Sequence, residues 1–333
     1  MIDLSTTYLG LALKNPLVVG ASPLSQDVDR VRAMEDAGAA AVVLHSLFEE
    51  QIVLEEMHLE RGLTAGTESY AEAVSYLPDV HTYKLGPDAY LEHVRKAKAA
   101  VDVPVIASLN GTSAGAWTRY AKLAQDAGAD ALELNIYHVA TDPARPAADL
   151  ERHYAELVRN VHAVVRIPVA VKVGSSFTAF ANVARQLVDA GANGLVLFNR
   201  FYQPDLDIEH LTVSPTLSLS TPGCLLLRLH WVAVLYGKLK TDFAVTGGVH
   251  SGHDVLKAMM AGANVAMLTS ALLRNGVAHL STVRQEMAHW MEEREYESVK
   301  QMRGSLSQKA VPNPAAFERG NYIKVLSAYE LKT

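Results

Sequence analysis

DAGAAAVVL (36–44), DAGADALEL (126–134), DAGANGLVL (189–197) and MAGANVAML (260–268) are four versions of one phrase. Each reads as the last turn of a helix, a glycine (Gly38, Gly128, Gly191 or Gly262) free to take the positive φ that ends it, then a short apolar strand. Between the copies lies a second kind of strand: NPLVVGAS (15–22), VPVIASLNG (103–111), IPVAVKVG (167–174) and FAVTGGV (243–249). These runs lack polar alternation, as parallel strands buried on both faces do. Interleaved, the two sets predict strands near 16–20, 40–45, 103–109, 130–136, 167–173, 193–199, 243–246 and 264–268. A helical stretch follows each, for example 114–127, 147–163, 178–190 and 251–261. Eight βα units predict an α/β fold, a (β/α)8 TIM barrel. A doubly wound open sheet is the alternative, and it lacks the early GxGxxG turn expected of it.

The barrel is expected over about 15–293 as a single domain with a short N-terminal extension. Two insertions follow strand ends, residues 46–87 after the second strand and the Pro/Ser/Thr-rich 200–222 after the sixth. Both fall on the face where barrel enzymes keep their active sites, and long loops there serve as lids or substrate walls. The tail, 294–333, reads as polar helical and loop pieces packed on the outside.

Composition narrows the function. Of 333 residues, 49% are hydrophobic and 20% charged, a globular mix with a sizeable core. The single cysteine, Cys224, rules out an intrachain disulfide and a cysteine-ligated iron–sulfur cluster built by this chain alone. A reducing, cytoplasmic setting follows as an expectation. A net charge of −6 argues against a nucleic-acid partner. The opening MIDLSTTYLGLALKNP has no basic n-region before an apolar run, so no signal peptide is expected. No uninterrupted apolar stretch reaches the roughly 18 residues of a membrane span.

The strand ends carry the chemistry. Val245-Thr246-Gly247-Gly248-Val249 ends strand seven, Ser251 is placed to cap the next helix, and strand eight ends at Leu268-Thr269-Ser270. Adjacent glycines let backbone N–H groups approach an anion, a helix N-terminus adds a favourable dipole, and the loops after strands seven and eight are the recurrent phosphate grip of TIM barrels. Lys172 ends strand five pointing into the mouth, able to hold positive charge against a developing anion or to form a Schiff base. Asn110, Asn135 and Asn199 end three further strands, and their amides suit the mixed donor and acceptor edge of a flavin or another planar heterocycle.

The set ASP at strand one, HS at strand two, ELN at strand four, VKVG at strand five, TGG at strand seven and TS at strand eight resembles dihydroorotate dehydrogenase, over roughly residues 2–280. It is similar to the soluble members rather than those with membrane-anchoring N-terminal helices. The resemblance implies FMN. Ala21, Ser22, His45, Ser46, Asn110, Asn135 and Lys172 would line the ring and ribityl chain, with Lys172 facing the N1–C2 carbonyl side. Gly247, Gly248, Thr269 and Ser270 would hold the phosphate.

The departures from that pattern concern the substrate. Where the family continues from the strand-four Asn to Ser-Cys-Pro-Asn, this chain reads Asn135-Ile136-Tyr137-His138-Val139-Ala140. His138 takes the base position, and Ala140 replaces an asparagine. His81-Thr82-Tyr83-Lys84-Leu85-Gly86-Pro87 stands where the family has its asparagine-rich loop, and His45 stands where it has a lysine. By this comparison the flavin site is kept and the orotate site rebuilt. An imidazole near its ordinary pKa accepts a proton at neutral pH, so His138 is the candidate base and Lys172 the other catalytic candidate. Asn135, Tyr137, Asn199 and Arg200 are the candidate substrate contacts, Arg200 as a bidentate clamp on a carboxylate or else paired with Asp205 or Asp207. No metal is expected, since His250 and His253 lack a third ligand at matching spacing. The expected partners are a small-molecule substrate, a redox partner protein and a second copy of the chain. Two alternatives stay open: a flavin-free barrel lyase or aldolase using Lys172 as an imine, and a non-catalytic flavoprotein subunit of a redox complex.

Overall fold

A computed structural model describes residues 2–53, 86–111, 114–200, 203–214, 216–319 and 322–327. Eight parallel strands close on themselves: β1 (Leu17–Val19), β2 (Ala41–Phe48), β3 (Val105–Gly111), β4 (Ala131–Ile136), β5 (Val169–Val173), β6 (Gly194–Leu197), β7 (Asp242–Thr246) and β8 (Val265–Leu268). Neighbours follow chain order, and β8 pairs with β1. Around them run α1 (Val28–Asp36), α2 (Pro87–Ala100), α3 (Ala114–Asp126), α4 (Ala147–Val164), α5 (Phe180–Asp189), α6 (Leu225–Leu235), α7 (Gly252–Ala261) and α8 (His279–Glu293). This is the expected (β/α)8 barrel, and the four repeat glycines have φ between +99° and +122° at the ends of α1, α3, α5 and α7.

The repeated phrase does more than stop helices. Its fifth residue ties each strand pair at its start. Asp130 Oδ2 accepts from Val105 N (2.8 Å), Asn193 Oδ1 from Val169 N (2.8 Å) and Asn264 Oδ1 from Phe243 N (3.1 Å). In the first copy that position is Ala40, which has no acceptor. Asn15 substitutes from the neighbouring strand, accepting from Leu17 N and donating to Gly38 O, both at 2.9 Å. A side-chain acceptor thus ties the start of all four strand pairs, two residues after the glycine in three copies and from Asn15 in the first. Register matters because a slip of one residue would turn every inward side chain outward.

Inside the barrel the side chains are mostly small: Val18, Ala41, Val43, Ala131, Ala170, Val196 and Ala244 pack with Ile106, Val265 and Met267. The N-terminal segment closes the end opposite the mouth. It forms an antiparallel hairpin, Thr6–Tyr8 with Leu11–Leu13, and drives Tyr8 and Leu9 into the interior. Leu9 N donates to Asp242 Oδ2 (2.7 Å), and Asn264 Nδ2 donates to Thr7 O (2.8 Å). A Cβ on Gly194 would sit 2.7 Å from Leu9 Cδ2, so glycine at the start of β6 is what lets this plug enter.

The tail packs outside as expected. Gly304 and Leu306 donate their N–H groups to the carbonyls of Met259 and Met260 on α7. The second insertion differs from the expected loop. Asp205–Asp207 and Thr212–Ser214 form an antiparallel ribbon, with Leu206 opposite Val213. The signal was the strict polar–apolar alternation of this stretch, the period of a strand, which a reading by Pro/Ser/Thr content overlooks. No helix among the described residues is long and apolar enough to cross a membrane.

Asn264→Ala should uncouple both strand register and plug, leaving the buried Phe243 N without its acceptor and removing the donor to Thr7 O and Asp242 Oδ1. The expected loss is about 2–3 kcal/mol, read as a lower urea midpoint at constant m-value. A change below about 0.5 kcal/mol, the level of an ordinary surface substitution, would show that these bonds do not hold the barrel.

Candidate active site

Alternation along buried strands decides which side chains reach the mouth. On β4, Leu132 and Leu134 pack outward in the core against the helices, which turns Glu133 and Asn135 inward. On β5, Val171 and Val173 face out and Lys172 faces in. Lys172 Nζ lies 3.5 Å from Glu133 Oε1, the lysine being 8% and the glutamate 1% exposed. Glu133 Oε2 has no partner. A buried carboxylate costs several kcal/mol unless paired, and this one is paired on one oxygen only, by the lysine above it.

Strand β2 departs from simple alternation. Val43 pairs with Ile106, but the next pair is Ser46 with Ser108, so β2 carries one extra residue in a bulge. Without it His45 and Ser46 would face opposite sides; with it both reach the mouth. Ser46 Oγ and Ser108 Oγ are 2.8 Å apart. Tyr90 of α2 fixes the partner strand, its hydroxyl donating to Ser108 O (3.0 Å) and accepting from Ser108 N (2.8 Å). At the end of β6, Asn199 Nδ2 donates to Asn135 Oδ1 (2.7 Å), leaving the Asn135 amide N–H groups without a protein partner.

These strand ends enclose a cavity of about 660 Å³. Ala21, Ser22, His45, Ser46, Asn110, Asn135, Tyr137, Lys172, Asn199 and Arg200 line it, which brings together the expected ring-side and substrate-side groups. Gln26, Phe48, Gln203, Asp205, Leu217 and Ser218 line it too, and no sequence pattern singled them out. Their signal was position alone, since they follow strand ends or lie in the second insertion. Arg200 forms no ion pair with Asp205 or Asp207. Asp207 is taken by His210 (2.8 Å), which leaves Arg200 facing the cavity.

Gly247, Gly248, Thr269 and Ser270 do not line that cavity but meet beside it. Gly247 and Gly248 both have positive φ, +86° and +93°. Gly248 N donates to Ser220 Oγ (3.2 Å), and Ser220 N donates to Ser270 Oγ (3.0 Å). Ser220 therefore joins the ends of β7 and β8 two residues after the cavity-lining Ser218. Ser251 caps α7 as expected, in a capping box with Asp254. That carboxylate accepts from His250 N, Ser251 N and Ser251 Oγ, so the dipole of α7 is already answered within the chain.

The histidines separate. His45 lies edge-on to Tyr90 and against His93, with ring centroids 5.2 Å away in both cases. Burial, reinforced by His93, lowers its pKa to about 4, so it is neutral at physiological pH and unlike the lysine the family places there. His250 is held below its ordinary value chiefly by burial, and its Nε2 is buried without a partner. His138 does not line the cavity; burial first, then Arg145 and His153, lower its pKa. Gly86 and Pro87 open α2, while His81–Leu85 of the same segment lie outside the described residues.

A planar cofactor with a phosphate tail fits this arrangement. The volume is within the range of about 300–1,000 Å³ usual for cofactor pockets. The lining supplies amide, hydroxyl and ammonium groups in an otherwise apolar mouth, and the Gly247–Gly248 pair lies beside it, the Gly248 N–H being donated to Ser220 Oγ. Fold and site together define a (β/α)8 barrel with a polar-lined cavity at the C-terminal ends of its strands. Residues 83–291 match the family model described as dihydroorotate dehydrogenase, and the chain belongs to that family, whose members are oxidoreductases acting on CH–CH groups. It is 25% identical to the dihydroorotate dehydrogenase B (NAD(+)) catalytic subunit of Thermoplasma acidophilum, covering 91% of this chain and 99% of that one. Identity is 27% to the protein of the same name in Pyrococcus abyssi, over 90% and 98% of the two chains. It is 23% to the chloroplastic dihydropyrimidine dehydrogenase (NADP(+)) of Arabidopsis thaliana, over 91% and 76%.

A histidine held neutral in the fold opposes acidification. The unfolded chain takes up a proton at His45 near pH 6.5 while the native chain waits until about 4, so this group withdraws stability as pH falls through that window. The urea midpoint should decline from pH 6.5 to 4, and less steeply in His45→Gln. Equal slopes in the two proteins would show that His45 is not buried neutral.

Proposed function

We propose that this chain is an FMN-dependent oxidoreductase exchanging a hydride with a carbon of a small planar or unsaturated substrate. The observation that carries the reading is the convergence of Asn110, Asn135, Asn199 and Lys172 on one cavity, with the Gly247–Gly248 pair beside it, tied through Ser220 to the loop that supplies the cavity-lining Ser218. Bound FMN would supply the two-electron acceptor. Asn110, Asn135, Ser22 and Ser46 would hold the ring and its polar chain, and Gly247, Gly248, Thr269 and Ser270 the phosphate. Lys172, anchored by Glu133, places positive charge where negative charge gathers on reduction. Tyr137, Asn199 and Arg200 would orient the substrate, with Arg200 suited to a carboxylate. For the proton we propose His138, an imidazole whose pKa burial lowers and which is therefore inclined to be unprotonated, as a base must be. Its ring stands outside the cavity lining, and catalytic contacts often tighten only once substrate is bound. Names such as "catalytic subunit" among the relatives support a partner protein as the other electron carrier. A homodimer, a cytoplasmic setting and a single domain belong to the same proposal.

The first test is cofactor content: one non-covalent FMN per chain is expected. Lys172→Met should lower the potential of that flavin. Removing about 3 kcal/mol of charge stabilisation, at about 30 mV per 1.4 kcal/mol, gives a drop of roughly 60 mV. Because this variant strands Glu133, the pair Lys172→Met with Glu133→Gln is the matched control for folding. Protein that binds no FMN in a fluorescence titration, or borohydride trapping of an imine at Lys172, would replace the proposal with a lyase.

The second test concerns the rebuilt substrate side. Dihydroorotate should reduce the flavin slowly or not at all, because a site made for polar edges loses strongly when its partners are missing. With a substrate found by anaerobic screening, His138→Ala should slow flavin reduction by about 10²–10⁴-fold with flavin binding intact. Near-normal rates in that variant, with a deficit in Tyr137→Phe instead, would move the role to Tyr137. Brisk turnover of dihydroorotate would restore the family's own substrate.

A further inference from the structure

One cation near the mouth belongs to none of the groups named so far. Arg228 lies in the second turn of α6 and is 8% exposed. Its nitrogens meet only main-chain carbonyls: Nε donates to Thr246 O (3.0 Å), Nη1 to Cys224 O (2.8 Å) and Nη2 to Phe198 O (3.3 Å). No carboxylate pairs with it. A guanidinium does not shed its proton in a protein, so burial without an anion leaves a desolvation cost standing. Burial is also the leading cause that pushes its pKa down.

The place of this charge gives it a purpose. Nη2 lies 3.2 Å from where a Cβ on Gly247 would be, so the guanidinium backs directly onto the glycine pair. The adjoining Gly248 leaves no room for a Cβ, which would come within 2.4 Å of Leu225 N at the head of α6. The first turn of α6 has no side-chain cap and no acidic residue, whereas α7 is capped by its own Asp254. The first N–H of α6, that of Leu225, is donated to the carbonyls of Pro222 and Gly223 in the preceding turn, so the positive charge beneath these two glycines is that of Arg228.

We propose that Arg228 forms the positive floor of the phosphate grip and sets the preference of this chain for a phosphorylated over an unphosphorylated flavin. This rests on the FMN reading above. Arg228 acts as a positioning residue, since its hydrogen bonds hold the ends of β6 and β7 and the start of α6 together. Its charge is the part the phosphate answers.

Fluorescence titration of the full-length, flavin-depleted chain with FMN and with riboflavin separates charge from packing. Arg228→Gln should weaken FMN about 10- to 100-fold and leave riboflavin unchanged. Arg228→Lys should keep most of the FMN preference. Equal weakening of both flavins by Arg228→Gln, or unaltered FMN binding, overturns the proposal. If the glutamine variant does not fold, loss of FMN preference in the charge-conserving lysine variant, at unchanged riboflavin affinity, overturns it. If the wild-type chain binds neither flavin, the FMN reading fails and inorganic phosphate becomes the probe. A rise in Tm with phosphate in wild type that Arg228→Gln lowers or abolishes and Arg228→Lys largely keeps then upholds the floor; an equal rise in wild type and Arg228→Gln, a rise lost in Arg228→Lys, or no rise in wild type overturns it.

Discussion

Closing eight parallel strands into a ring satisfies every strand edge and leaves the polar groups of the interior nowhere to go except the two ends. One end is filled by Tyr8 and Leu9 from the N-terminal hairpin. The middle is filled by alanines and valines. The mouth is therefore where Lys172, Asn110, Asn135 and Asn199 collect, each because it is the last inward residue its strand can offer. The register bonds of Asn15, Asp130, Asn193 and Asn264 underlie this, since they decide which residues of each strand count as inward.

The site divides along the chain as it divides in chemistry. Strands β1 to β6 supply the cavity-lining amide, hydroxyl and ammonium groups, while β7, β8 and the head of α6 bring the glycine pair, Ser270 and Arg228 together beside it. The second insertion links them: Asp205 and Leu217 wall the cavity, and Ser220 ties Gly248 to Ser270. Rigid strand ends thus meet a loop that can vary. The departures at Tyr137, His138 and Ala140 all follow the end of β4, and the one at His45 lies in the bulged part of β2, so the differences from the family pattern sit at strand ends, where loops vary most.

Electrostatics here depends on which charges are answered. Glu133 answers Lys172, and Asp254 answers α7. His45 avoids the question by staying neutral. Arg228 has no carboxylate partner among the described residues and is answered only by the main-chain carbonyls of Thr246, Cys224 and Phe198.

The sequence by itself determined the barrel, its eight strands and the strand-end set, because both periodicities and the repeated glycine phrase are local signals written in adjacent residues. It also placed Lys172 correctly, since alternation within one strand suffices for that. Tertiary structure alone decided that His45 and Ser46 share a face, because the bulge in β2 exists only against the pairing of β3. It alone showed that Ser251 serves Asp254, and that His138 stands outside the cavity lining. Arg228 was invisible for the same reason. Its partners lie 4, 18 and 30 residues away in sequence, and an uncompensated charge can be recognised only when everything packed around it is known.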